Sequence, residues 1–289
     1  MSAEQVALAG RNQRRYIARR FTGQTLTRGG HLRKLITLAA ALAAALTIAV
    51  TPAGAILYGE PDDGAHPYVG VVRFFDAEGN YLWRCSGTLI SPTVFLTAGH
   101  CTFGTASAEV WFTDTAPTTA EVLSGDYTPG ITGTTYTHPD YDDFATFPNT
   151  SDVGIVVLKK PVKLDEYGVL PTVGLVETLY KHTVFDIVGY GIQDTQPVQV
   201  ADVIRLTAKA KLIGTSSAYS TGFNLQLSSN AGKPHRGGLC FGDSGGPVLY
   251  GTTILAVNSF VINLNCAGAG FSYRIDQPEI LDWITSFLN

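Results

Sequence analysis

The sequence predicts an all-β protein closed by one C-terminal helix, on three observations. The chain has 31 Gly and 14 Pro among 289 residues, a turn density that suits many short strands joined by tight loops. Apolar runs of strand length recur along it, whereas only one segment has a persuasive helical period. An apolar fraction of 45% with 15% charged residues marks a globular chain with enough apolar side chains for a substantial core.

The first 55 residues stand apart. They carry eight basic side chains (Arg11, Arg14, Arg15, Arg19, Arg20, Arg28, Arg33 and Lys34) against one acid, Glu4. The apolar run LITLAAALAAALTIAV follows at 35–50, then TPAGA, which ends in the A-x-A pattern Ala53-Gly54-Ala55. A basic region, an apolar core and a small-residue cleavage site predict a secretory signal peptide over 1–55. The run falls short of the roughly 20 residues of a membrane span, and no basic stop-transfer cluster follows it. Arg14-Arg15 lies too far from the run to argue strongly for twin-arginine export.

The strand candidates follow in order. YVGVVRFF (68–75), GTLI (87–90) and TVFLTA (93–98) are apolar and bounded by turn residues, as are DVGIVVLKK (152–160) and TVFDIVGYG (183–191). The clearest period of two runs through Ile204, Leu206, Ala208, Ala210 and Leu212, alternating with Arg205, Thr207, Lys209 and Lys211. PVLYGTTILAVNSF reads as a hairpin turning near Gly251-Thr252. The helix is DQPEILDWITSFLN: Asp276 is its expected cap, Pro278 suits the first turn, and Ile280, Trp283, Ile284 and Phe287 share a face.

Charge and cysteine content narrow the function. Without residues 1–55 the chain keeps 12 of its 20 basic and 23 of its 24 acidic side chains, a net charge near −11. Such a surface repels nucleic acid, and no basic stripe relieves it. The four cysteines, Cys85, Cys101, Cys240 and Cys266, all follow the signal. An even count in an exported chain favours disulfides, with three pairings possible. The local pairing, Cys85–Cys101 with Cys240–Cys266, closes loops that stabilise by roughly 3 kcal/mol each in the chain-entropy model. Zinc is disfavoured, since no C-x-x-C or paired-histidine spacing is present. No metal and no cofactor are expected.

The chemistry centres on Gly242-Asp243-Ser244-Gly245-Gly246. This pentapeptide fits the G-x-S-x-G elbow of α/β-hydrolases, but that fold needs a histidine after the serine. The six histidines (His31, His66, His100, His138, His182, His235) all precede Ser244. The opposite order is available: FLTAGHC supplies His100 and SDVGIVVLKK supplies Asp152, separated from each other and from Ser244 by 52 and 92 residues. The other four histidines of the exported part are read as structural or surface residues.

TAGHC, SDVGIVV and GDSGGP in this order resemble the chymotrypsin-like, trypsin-fold serine peptidases. CSGTLIS (85–91), THPDY (137–141), VGYG (188–191) and Trp283-Ile284 extend the likeness over 56–289. The resemblance implies two six-stranded antiparallel Greek-key β-barrels with the site in the cleft between them. The barrels would take about 56–170 and 171–275, and the helix 276–289. It also implies the local disulfide pairing. His100 would be general base, Asp152 its orienting partner and Ser244 the nucleophile. The amides of Gly242 and Ser244 would form an oxyanion hole.

In this family a new N-terminal amine pairs with the aspartate before the serine, here Asp243. Cleavage after Ala55 would supply that amine from Ile56 during export. The ILYG that starts there departs from the family's I-V-G-G at its second and third positions. By the same likeness the specificity pocket would comprise Gly238 and Leu239, then Ser259, Phe260 and Val261, with Gly270 at the back. Ser259 would also hydrogen-bond Asp152. An aspartate at the base would select Lys or Arg; Gly238 stands there instead, and Leu239 with Val261 favours small or medium apolar side chains. The expectation is a secreted, monomeric endopeptidase acting on proteins or peptides, with no membrane attachment after signal cleavage.

Overall fold

The computed structural model describes residues 56–195, 201–229 and 237–288; the predicted export signal lies outside the described residues. Six strands close the first barrel: β2 (Val69–Phe75), β3 (Tyr81–Leu89), β4 (Val94–Thr97), β5 (Ser107–Trp111), β6 (Ile131–Thr137) and β7 (Gly154–Leu158). Six more form the second: β8 (Val184–Gly189), β9 (Leu206–Gly214), β10 (Asn224–Ser229), β11 (Pro247–Tyr250), β12 (Thr253–Val261) and β13 (Gly268–Arg274). Every pairing within them is antiparallel, and both rings follow one order. The first three strands are sequential neighbours, the last three return in reverse, and the fourth closes onto the first.

The alternation in β9 is realised as expected. Leu206, Ala208, Ala210 and Leu212 are buried, while Lys209 is exposed between them. The β11–β12 hairpin turns at Gly251-Thr252, with Tyr250 opposite Thr253. Cys85 bonds Cys101, and Cys240 bonds Cys266.

Residues 56–61 and the C-terminal helix clasp the barrels crosswise. The first strand, β1 (Glu60–Pro61), pairs with β9 of the second barrel, and Leu57 bridges Gly238 there. Residues 56–61 therefore sit on the second barrel although they precede the first. The C-terminal helix lies against the first barrel: Trp283 packs on His138 and Phe287 on Tyr136, with ring centroids 5.0 and 5.1 Å apart. Between the barrels the buried Arg205 donates to Asp62, Asp114, the carbonyls of Val69 and Phe112, and the Tyr190 hydroxyl. Asp62 also bonds His66, which makes that histidine part of the clasp.

Among the described residues, three short helices and a 3₁₀ turn (Leu175–Thr178) complete the fold: α1 (Gly99–Thr102), α2 (Thr119–Ser124) and α3 (Pro278–Thr285). Asp276 does not cap α3, contrary to the sequence expectation. The N-cap is Gln277, and the buried Asp276 carboxylate is engaged by Arg274 and the Val176 amide. A guanidinium at bonding distance outcompetes a helix amide for that carboxylate. Among the described residues, no helix is long and apolar enough to cross a membrane.

Candidate active site

His100 sits in α1, the single turn after β4, and the disulfide from its neighbour Cys101 to Cys85 in β3 holds that turn. Trp83 Nε1 donates to the Cys101 carbonyl at 2.9 Å and adds a second tie. Asp152 lies just before β7 and is fully buried. Its Oδ2 is 2.9 Å from His100 Nδ1, and its Oδ1 accepts the His100 backbone amide at 2.7 Å. Ser259 Oγ, from β12 of the other barrel, donates to Oδ2 at 2.5 Å. Both carboxylate oxygens are therefore satisfied, as a buried charge requires.

Burial works to lower the His100 pKa, but the charge and hydrogen bond of Asp152, aided by Asp143, outweigh it and hold the imidazole above its ordinary value. For Asp152 burial pulls upward, and the His100 charge and the bonds from His100 and Ser259 overcome it, so this carboxyl stays below its usual range.

Ser244 occupies the turn between Cys240 and β11. The turn is built from the backbone: Asp243 N donates to Cys240 O, Gly246 N to Asp243 O, and Gly245 N to Asn258 O. It is also stitched to the first barrel, because Ser86 N donates to Ser244 O at 2.8 Å and Ser86 Oγ to Gly242 O at 2.9 Å. Two glycines are obligatory. Gly242 has φ +96°, and Gly245 has φ +78° with a Cβ position only 2.1 Å from Thr97 Oγ1. The amides of Gly242 and Ser244 have no acceptor among the described residues.

Ser244 and His100 line one cavity of about 260 Å³, together with Leu239, Cys240, Ser259, Phe260 and Val261. Gly238 and Gly270, expected at its base and back, do not line it. The space beside Gly270 is filled by Leu239, whose Cδ1 lies 2.9 Å from where a Gly270 Cβ would stand. Gly238 instead exchanges backbone hydrogen bonds with Leu57. Three lining residues escaped the sequence reading: Phe241, Asn258 and Phe144. Asn258 is buried in β12 between the Ser244 turn and Ser272, and its position one residue before Ser259 was the available signal. Phe144 stands 6.0 Å from the His100 ring and edge-on to Phe260, which stacks on Phe271 at 4.8 Å. No motif marks Phe144.

Asp243 is also fully buried, yet among the described residues only backbone amides bond it: Gly191 N at 2.8 Å and Cys240 N at 2.9 Å. Burial pushes its pKa up to about 7, with those amides and the Arg84 charge offsetting part of the rise. Ile56 is buried in the second barrel's core, and its neighbour Leu57 is hydrogen-bonded to Gly238.

A two-barrel fold with a buried His–Asp pair facing a glycine-bounded serine defines the chymotrypsin-like serine peptidases. The family model for trypsin matches residues 58–284, and the chain belongs to that family. It is a serine endopeptidase. Brachyurin from Leptuca pugilator is 28% identical over 215 residues, covering 70% of this chain and 87% of the relative. Trypsin from Saccharopolyspora erythraea is 26% identical over 186 residues, covering 61% and 74%. Among solved structures, HL collagenase superposes with a TM-score of 0.65 at 19% identity, over 81% of this chain and 98% of that one. Human heparin binding protein gives 0.59 at 18% identity, over 81% and 97%; both likenesses concern the fold.

Proposed function

We infer that this endopeptidase is exported and cleaves after small or medium apolar residues with His100, Asp152 and Ser244 as its triad. The carrying observation is that the buried Asp152 grips His100 through both ring and backbone while Ser244 lines the same cavity. In this reading the imidazole takes the Ser244 proton as Oγ attacks the scissile carbonyl. The free amides of Gly242 and Ser244 receive the developing oxyanion. The imidazolium, stabilised by Asp152, then protonates the leaving amine, and water activated by the same imidazole hydrolyses the acyl-enzyme. Leu239, filling the space beside Gly270, shortens the pocket and supports the apolar preference. That preference is graded, because one methylene in an apolar pocket is worth only about 1–3 kcal/mol.

Release of Ile56 as the mature N-terminus would place an amine within the second barrel, where Asp243 has no cationic partner among the described residues. Export from the cell rests on residues 1–55, and N-terminal sequencing of the secreted protein tests both points, with Ile56 as the expected first residue. The activity is tested with Ser244→Ala, expected to lower turnover about 10⁶-fold by analogy with triad removal elsewhere, beside a peptide panel varied at the residue before the cut. A variant that keeps more than about a thousandth of the activity would remove Ser244 from the nucleophile's role.

A further inference from the structure

A second cavity, of about 380 Å³, is bordered by Phe241 and Gly242 of the Ser244 turn. Its walls include Arg84, Ile192, Ala201, Phe241 and Gly242, and Phe241 borders both cavities. The first cavity extends from Ser244 along Ser259–Val261, where the side chain before the scissile bond would lie. Gly242, two residues before Ser244, borders this second cavity together with Arg84, so a peptide continuing past Ser244 over Gly242 would enter it. The strand edge on that path is open. β2 pairs β3 along its length, whereas β4 pairs it only at Thr88 and Leu89, so Trp83 to Cys85 have no strand partner on the second side among the described residues. An extended peptide can add to such an edge.

Arg84 is the only basic residue lining this cavity among the described residues. Its Nε lies 3.5 Å from where a Cβ on Gly242 would stand, which places the guanidinium against the turn that carries the nucleophile. Among the described residues its two terminal nitrogens reach only the Ala201 carbonyl, at 3.3 and 3.4 Å. Burial lowers the Arg84 pKa, with Asp243 and Asp202 the acids that act on it, and neither comes within ion-pair distance. Asp243 is occupied by the Gly191 and Cys240 amides. A half-buried guanidinium whose one acceptor among the described residues is a neutral carbonyl has unused capacity for a carboxylate.

We propose that this cavity receives the first or second residue after the scissile bond and that Arg84 selects an acidic side chain there. The inference rests on the endopeptidase reading, whose own cleavage-site cavity lies on the other side of Phe241. It runs against the acidic character of the mature chain, so the selection comes from this one cation.

The test uses fluorogenic peptides identical up to the scissile bond and carrying Glu, Gln or Lys at the first or second position after it. They are cleaved by the purified mature enzyme and by its Arg84→Gln and Arg84→Glu variants. The readout is the ratio of kcat/KM for Glu against Lys within each enzyme, which is independent of the folded fraction. Wild type should prefer Glu by about fivefold or more at low salt, the preference falling as salt is added. Arg84→Gln should bring the ratio near one, and Arg84→Glu should invert it. A wild-type ratio near one at both positions, or a preference that survives Arg84→Gln, overturns the proposal while leaving the endopeptidase reading intact. Failure to cleave any peptide, with no fluorophosphonate labelling of Ser244, overturns that reading and this one with it.

Discussion

The two barrels contribute unequally finished halves to the site. On the first-barrel side, Asp152 holds His100 by ring and backbone and takes a third bond from Ser259, so its buried charge is fully compensated. On the second-barrel side, Asp243 is just as buried but receives two amides and no other hydrogen bond among the described residues, and its pKa rises to about 7. A carboxylate with a cationic partner stabilises the ionised state; one without it holds its proton instead. The difference teaches that the proposed base is held by partners within the chain, whereas the Ser244 turn has no cation bonded to its buried carboxylate among the described residues. Ile56 is buried in the core of the second barrel, and the proposal that its free amine supplies that cation rests on the export reading.

The comparison breaks most sharply at its finished half. Asp152→Asn should lower kcat by about 10⁴, the size seen for this substitution in serine peptidase triads. The acid limb of the rate profile should also move. His100 must be neutral to act, and Asp152 raises its pKa, so wild-type activity falls as pH drops through a value above the ordinary 6.5. The variant's limb should lie lower, and an unmoved limb would contradict the pairing.

Next comes the unfinished half. In the chain not cut before Ile56, Asp243 keeps its proton from near pH 4 to about 7 while the unfolded chain has lost it. The folded pKa being the higher, stability falls as pH rises through that window, by roughly 4 kcal/mol at most. Denaturant unfolding of the uncut wild type and of Asp243→Asn should show this as a stability difference that shifts by a few kcal/mol between pH 4 and 8. Parallel curves would show that Asp243 is not destabilised when charged. A chain beginning at Ile56 should show a smaller shift. The smallest effect belongs to the bond that joins the halves. Ser259→Ala removes one donor to a buried carboxylate, worth about 1.5–3 kcal/mol. It should lower kcat/KM by roughly tenfold and move the acid limb upward, because a less solvated Asp152 holds the imidazolium more tightly. No change in either would make Ser259 a bystander.

Much of this was legible in the sequence, for physical reasons that differ by element. β9 was legible because its period of two survives over nine residues, and His100, Asp152 and Ser244 because each is embedded in its own local motif. The order of the histidines relative to Ser244 decided between two unrelated folds. Other features depend on tertiary neighbours. Asp276 has the right offset to cap α3, yet a guanidinium two residues earlier takes it. The first strand pairs with the second barrel because the chain crosses the molecule, which no local pattern records. The buried Arg205 looks in sequence like one polar member of an alternating strand. The helix α2 was legible and overlooked: Thr118 and Glu121 form a capping box at the expected spacing of three, and Gly125 ends the helix at φ +75°. The pocket was the least legible part, since whether Gly270 or Leu239 forms the wall depends on how one side chain fills the space left by the other's absence.

The most direct test is mass spectrometry of the secreted protein after reaction with a serine-acylating fluorophosphonate. A single adduct on the peptide containing Ser244, absent from Ser244→Ala and abolished along with peptide hydrolysis, is the expected result. An unlabelled wild-type protein beginning at Ile56, or an adduct on a different serine, would contradict the assignment of His100, Asp152 and Ser244 as a working triad.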